Sequence, residues 1–359
     1  MFTEEQVIFE CCAMSCCELV DRPLKKASER HRPTFGNSNE SPVYSGWDIN
    51  KHIGAYTQRA LTHQSDVLRA MQGLFNFFAS TNRNDFDRRL QHWGISINPR
   101  AYWTYGQDMP SSDDQPRLAL SQGLYWEVAS DLFSQSRTTR RHGFPSWSWS
   151  GWVAPVQWST DPRFRSPRYQ DALRGVSLQK HNGARIPFTG TLAAQLHDRG
   201  HEDTSFTYYL CLEAEILEVK VTYLKGGMAC RNWTYGPGIL SKYVVAASVD
   251  AMKSSKGLSC DQVRGPPGPK PRQRHFWPII ITPHVEEDDA IHKRLCQEVL
   301  RCMVLPDSWG LVIWAAGSAF ERVGLMRLHG MSGGNWVVDL DGPHLRDYFP
   351  GSVQDIVLG

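Results

Sequence analysis

Four cysteines, Cys11, Cys12, Cys16 and Cys17, fall within seven residues near the start of the chain. Thiolates this close have the chemistry to hold zinc, and one helical turn would bring Cys12 and Cys16 to the same face. Structural zinc sites, however, join two ligand pairs across a loop, with about two to four residues inside each pair. Adjacent cysteines close a tetrahedron poorly, and no histidine pair of zinc-finger spacing follows. The expectation is reduced thiols carrying neither metal nor structural disulfide. The nine cysteines are odd in number and show no spacing of a secreted framework, which agrees.

The second chemically suggestive stretch is "GFPSWSWSGW", residues 143–152. Read as a strand, it points Ser146, Ser148 and Ser150 one way and Trp147, Trp149 and Gly151 the other. The aromatic face could serve as a platform for a sugar or a base, or as a core strand. No serine there sits between glycines at nucleophile-elbow offsets. Phosphate loops, zinc-protease motifs and deaminase motifs are absent, and the 13 histidines are scattered. The acidic run Glu286, Glu287, Asp288 and Asp289 reads as a solvated helix start. "RTTRRHG" has the charge to bind an anion but reads as a charged turn. "RGPPGPKPRQRH", Arg264 to His275, could be an SH3-type ligand but reads as an exposed proline-rich loop. No catalytic, cofactor-binding or metal-ligating residue can be assigned, and no cofactor is expected.

Composition narrows the function classes. In 359 residues, Lys+Arg 39 nearly balance Asp+Glu 37, a net charge of +2, so no global basic field draws nucleic acid. The start, "MFTEEQVIFECC", carries glutamates where a secretory signal needs positive charge. "WGLVIWAAGSAF" is too short to span a bilayer. The expectation is a soluble cytoplasmic protein that binds neither nucleic acid nor membrane. Thirteen tryptophans imply a core built on aromatic packing.

These residues need elements to position them. Residues 1–46 read as a short strand, "QVIFEC", and a proline-broken loop. Residues 47–158 read as a helical region ending in the tryptophan strand. Asp48 is a possible N-cap for a helix carrying Ile49, Ile53, Tyr56 and Ala60. A second helix, Ser65 to Phe78, presents Leu68, Met71, Leu74, Phe75 and Phe78, docked near the tryptophans. Gly73 inside it suggests a close backbone approach. "SQGLYWEVASDLF" reads as a third helix after a loop at 98–116. Residues 159–205 show no sustained period and read as irregular. Residues 206–359 alternate like strands. The fold class is α+β, a helical N-terminal half packed on a mostly antiparallel β-rich C-terminal half.

"RRHGFPSWSWSGW" resembles the "RR-x-x-FPSWSWAGW" signature of fungal heterokaryon-incompatibility (HET) proteins. The other matches fall in the family's order. "FTEEQVIFEC" is similar to the segment that follows the HET block. "YTQRALTHQSDVLRAMQGLF" matches a tyrosine, then "R-x-L-T", then "S-D-x-L-x-A-x-x-G-I", through Ser65, Asp66 and Gly73. "QGLYWEV" matches "GLxW", and "LVIWAAGSAFERVGLMRL" matches "L-x-x-W…A-x-R-V-G" through Arg322 and Gly324. Phe144, Pro145, Trp147, Trp149, Gly151 and Trp152 carry the signature itself. The "SYVWG"-, "IDxxCINQ"- and "WTxQE"-like motifs of the HET block are missing, so a truncated N-terminus is expected. The resemblance implies non-self recognition and programmed cell death after hyphal fusion, through protein partners whose identity it does not give. It favours a packed structural role for the signature. A carbohydrate- or nucleotide-binding platform and an enzyme lacking its catalytic block are the alternatives.

Overall fold

A computed structural model describes residues 8–10, 15–17, 46–80, 90–97, 114–129, 138–158, 173–199, 205–230, 238–247, 275–282, 289–305, 309–327, 330–332, 335–337, 349 and 351–359. The chain divides into two compact units, Met1–Ser45 and Gly46–Gly359. In the first, strands β1 (Ile8–Glu10) and β2 (Ser15–Cys17) pair antiparallel, with Phe9 opposite Cys16. Cys16 and Cys17 are therefore on extended backbone, so the helical turn expected to align Cys12 with Cys16 does not form there. Cys11 and Cys12 lie outside the described residues.

The second unit is mixed α+β. Helix α1 (Gly46–Thr57) begins two residues before Asp48 and ends before Ala60. Ile49 and Ile53 are buried on its inner face. The single helix expected over Ser65 to Phe78 is instead two 3-10 turns, Gln64–Asp66 and Arg69–Met71, followed by helix α2 (Gln72–Ser80). Leu68, Met71, Phe75 and Phe78 are buried as their spacing predicts, and Leu74 is half-buried. The tighter turns keep the same residues inward, because three-residue and four-residue spacings serve either helix type.

The region 47–158, expected to be helical up to its terminal tryptophan strand, also contains short strand pairs. Strands β3 (Leu90–His92) and β4 (Ile95–Ile97) form a two-residue hairpin. Helix α3 (Asp114–Gly123) lies earlier than the third helix read at 121–133, and "WEV" forms strand β5 (Trp126–Val128). Pro116 accounts for the earlier start, since proline suits a first helical turn, and Gly123 is the last helical residue, where a Cβ would collide with Ile95 of β4. Strand β6 (Thr139–Arg140) pairs with β7 (Trp152–Val153), and β8 (Val156–Trp158) pairs with β5.

The segment 159–205, read as irregular, holds three elements. These are β9 (Leu173–Lys180), β10 (Arg185–Pro187) and α4 (Gly190–Arg199). The hairpin is made by a turn at Asn182–Gly183, with Gly183 at φ 84, a signal that the missing periodicity hid.

Beyond it the alternating patterns become a ten-stranded sheet. Besides β9, β10 and the last strand of the chain, its strands are β11 (Phe206–Val219), β12 (Thr222–Cys230), β13 (Gly238–Ala247), β14 (His275–Ile281), β15 (Leu300–Leu305), β16 (Trp309–Ala316) and β17 (Ala319–Arg327). A separate pair, β18 (Gly330–Ser332) and β19 (Asn335–Val337), follows. The last strand, β20 (Gly351–Leu358), runs antiparallel to β11 and touches β17 in parallel at Phe320 and Leu358. Strands β11, β15, β16, β17 and β20 thereby close a five-stranded barrel, with β9–β10 extending from β11 and β14–β13–β12 from β17. Cross-strand partners share a face. Leu210, Leu212, Ile216, Met303, Leu311, Leu325, Ile356 and Leu358 fall on one face by register, and all are buried. The opposite face, with Leu217, Cys302, Val312 and Val323, packs Leu295 of helix α5 (Ala290–Gln297). Asp289 caps α5, accepting from the Ile291 N–H at 3.0 Å, as the acidic run suggested; residues 286–288 lie outside the described residues. So does the proline-rich stretch at 264–275, apart from His275, which opens β14.

Gly73 is exposed, and a Cβ built on it meets nothing within 4 Å. The close approach expected of it does not occur. Gly73→Ala is accordingly expected to raise stability by about 0.5–1 kcal/mol, since alanine restricts the unfolded chain and favours the helix. Thermal unfolding of the variant beside wild type checks this.

Candidate functional site

The signature is a compact turn, and the strand read over 143–152 begins only at Trp152. Pro145 has no N–H for a ladder, and its carbonyl accepts from Ser148 N–H at 3.3 Å. Ser148 then caps the 3-10 turn Trp149–Gly151, its hydroxyl accepting from Ser150 N–H at 3.1 Å. Gly151 is required where it stands. A Cβ there would collide with the Pro145 carbonyl oxygen and lie 2.6 Å from Arg140 Nη1. The expected split into an aromatic face and a polar face is absent: Trp147, Trp149, Ser146, Ser148 and Ser150 are all 0% exposed. Phe144 and Trp152 are buried beside them. An indole platform open to a ligand does not exist at Trp147 or Trp149.

The indoles and serine hydroxyls can be buried together because each is matched to a backbone oxygen, whereas Arg140 Nε and Arg322 Nε are buried without an acceptor. Trp126 Nε1 donates to Trp147 O (2.9 Å), Trp147 Nε1 to Tyr208 O (3.1 Å), Trp149 Nε1 to Gly94 O (2.8 Å) and Trp152 Nε1 to Ser146 O (2.9 Å). Ser148 and Ser150 hydroxyls both donate to Trp93 O, at 2.5 and 3.0 Å. Buried donors with partners of this quality cost little, and the ring surface they bring inward is strongly stabilising.

Three arginines bind the turn to distant segments. Arg140, on β6, donates to Gly151 O (2.7 Å) and Phe144 O (2.7 Å) and stands 5.3 Å from the Trp152 ring. Arg141 donates to Trp152 O (2.9 Å) and, through Nε and Nη2, to Gln64 Oε1 at 3.0 and 2.8 Å. Burial pulls Arg141 down to about 10, and it is spent on neutral acceptors rather than on an anion. Arg322, on β17, is 1% exposed. Its guanidinium lies 3.6 Å from the Trp126 ring centroid and donates to Leu124 O (2.9 Å) and to Trp126 O. Burial pushes its pKa well below the usual arginine value, while the nearby Glu127 carboxylate opposes that shift. The Arg322 backbone N–H donates to Ser146 Oγ at 3.0 Å, and Ser146 N–H and Oγ both donate to Gly359 O. One serine thus joins the signature, β17 and the end of β20.

The hairpin between β3 and β4 completes the site, and the motif reading missed it. Trp93 and Gly94 have φ 52 and 85, the positive pair that a two-residue hairpin of this twist demands. A Cβ at Gly94 would lie 2.8 Å from Trp149 and 2.9 Å from Leu68, so only glycine fits. A bulky residue at positive φ is strained, and Trp93 is held there by the two serine hydroxyls on its carbonyl. The visible signal was "HWG" between two short apolar stretches. Beside it, His92 stacks on Trp147, with ring centroids 5.9 Å apart and 27° between planes. Its full burial lowers its pKa to about 3, so it is neutral.

Structure therefore brings together Phe144, Pro145, Trp147, Trp149, Gly151, Trp152 and Arg322. Ser65 and Asp66 lie next to Gln64, where Ser65 Oγ approaches Asp66 Oδ1 at 3.4 Å on the surface. Gly324 is buried within β17 opposite Val312 and Ile281, and Gly73 stands apart. The serine hydroxyls already give their protons to carbonyls, so the arrangement offers structural cohesion rather than a nucleophile. Among the described residues no group of three or more His, Cys, Asp or Glu could hold a metal ion.

Removing Arg322 strands buried carbonyls and a buried carboxylate. Arg322→Met is expected to cost about 3–5 kcal/mol, and Ser146→Ala about 1–3 kcal/mol. The two are expected to be non-additive in a double-mutant cycle of chemical denaturation, because they share one hydrogen-bonded unit. His92 gives a pH dependence. Its folded pKa of about 3 lies below the unfolded value of 6.5, so the stability it contributes is complete above 6.5 and falls as pH drops toward 3. The slope is about 1.4 kcal/mol per pH unit. His92→Phe is expected to flatten that part of the stability profile, measured by urea unfolding from pH 7 to pH 4. No family model, curated protein or solved structure matches this chain.

Proposed function

We propose that the chain is a HET-family-like protein that works in fungal non-self recognition and regulated cell death, in the cytoplasm, through contacts with other proteins. One observation carries this reading. Segments that resemble the family separately along the sequence meet in one hydrogen-bonded unit: the signature turn, Trp126 of "QGLYWEV", Arg322 of "AFERVG", and Gln64 of "YTQRALTHQSDVL". Residues that a family shares for the sake of its fold are expected to cluster in this way. Nearly balanced charge supports protein partners over nucleic acid or an anionic membrane surface. No helix among the described residues is long and apolar enough to cross a membrane.

Inducible expression in a filamentous fungus tests the reading, with vital-dye uptake scored after hyphal fusion to a panel of genetically distinct strains. Wild-type protein is expected to change dye uptake in fused compartments and leave unfused hyphae unaffected. A core-disrupted variant such as Arg322→Met is expected to lose the effect. Equal viability of fused cells with and without the protein, across the panel, would overturn the proposal.

A further inference from the structure

The barrel closes unevenly. Strand β20 is matched to β11 over eight residue pairs, from Leu210–Leu358 to Leu217–Gly351, but it meets β17 at Phe320–Leu358 only. The Gly359 N–H, donating to Phe320 O at 2.9 Å, ends that seam. From Gly351 to Val357 the second edge of β20 pairs with no described strand, and Gly351, Ser352, Val353 and Asp355 are exposed. A strand edge of this kind presents a row of backbone donors and acceptors, which is the template for adding a further strand. Proteins usually blunt such an edge with lysine, proline or a bulge. Between Gly351 and Val357 there is neither lysine nor proline, and the register against β11 is unbroken.

Two independent features mark this edge. The first is Val353, 61% exposed and one of only two large hydrophobic side chains standing out among the described residues. The second is charge. Register places Val353 opposite Glu215 and Asp355 opposite Glu213, so three carboxylates share a face with the exposed valine. Arg174 of β9 stands directly opposite Glu213 and offsets its charge, and Arg185 lies on β10 beyond it, so Asp355 on β20 itself is the carboxylate nearest the open edge. The edge therefore offers backbone pairing, one apolar contact and a negative field.

We propose that the open edge of β20, Gly351–Val357, is a strand-addition site for an extended segment of a partner protein in which a lysine or arginine lies two residues from a β-branched residue, on the same face of the strand. Backbone bonds supply the affinity. A β-branched side chain beside Val353 and a basic one beside Asp355 fix the register. The surface is independent of any role in incompatibility, so failure of either idea leaves the other standing.

The test uses the full chain and a fluorescein-labelled synthetic peptide, Lys-Val-Thr-Val-Lys-Val-Thr, followed by anisotropy. Wild type is expected to bind it, with affinity falling as salt rises. Val353→Lys and Asp355→Lys, both at exposed positions, are each expected to weaken binding by about tenfold or more. The same peptide N-methylated at alternate residues is expected not to bind, and hydrogen exchange of the 352–357 amides is expected to slow only with the unmethylated one. Equal binding of both peptides would reduce the site to a charged surface and overturn the proposal. So would absence of binding to wild type at millimolar peptide. A concentration-dependent dimer of the chain alone that Val353→Lys converts to monomer would also overturn it, by making a second copy the occupant.

Discussion

Four indole N–H groups, three serine hydroxyls and two arginine side chains, Arg141 and Arg322, are buried within one turn and its immediate neighbours. Each would cost several kcal/mol if left without an acceptor. The acceptors must be carbonyls that no helix or ladder already uses, and these occur where elements end. Gly94 and Trp93 tip a hairpin, Leu124 follows α3, and Gly359 follows β20. Satisfying the serines, Trp149 and Arg322 thus brings several element ends to one place, while the turn itself and Tyr208 of β11 supply the other indoles. The packing of hairpin, helix end and barrel is a consequence of that demand as much as of apolar burial.

The same demand explains how far the sequence was legible. Long alternating patterns in 206–359 told of strands correctly because the pairing there runs over long registers and one face of β11, β15, β16 and β17 is buried. The pattern at 143–152 also alternates, yet it is a turn. Alternation signals a strand only when one residue type must face solvent, and here both types go inward, with hydroxyls and indoles equally supplied with carbonyls. Gly73 misled in the opposite sense: a glycine in a helix suggests crowding, but this one faces open water. The resemblance to HET proteins pointed to Arg322 and Trp126 without saying that they touch. A cation stacked on an indole 196 residues away in sequence leaves no local trace.

Trp93 shows what the convergence costs. A two-residue hairpin needs positive φ at both positions, and asparagine or glycine would meet that need without strain. Tryptophan there places its carbonyl where Ser148 and Ser150 both reach it, and its ring against Phe144 and Tyr208. Backbone strain of about 1–3 kcal/mol is sustained only where surrounding contacts over-determine the conformation. Those contacts come from the signature, so hairpin and signature hold each other in place.

Ser146 extends this mutual dependence to the barrel. Its hydroxyl accepts from the Arg322 N–H and donates to Gly359 O, which also receives the Ser146 N–H. Through the Gly359 N–H on Phe320 O, the same residue joins β20 to β17 at their one point of pairing. Strand β20 is therefore fixed at two very different places: along β11 by a full ladder, and at its end by a serine borrowed from the signature. Between those anchors no described strand pairs with its outer edge, and β17 offers its own edge to β14 instead, at Gly324 to Met326. Closure at that one described pair leaves the rest of β20 without a described strand on its outer side, and the eight-pair ladder with β11 holds it in position.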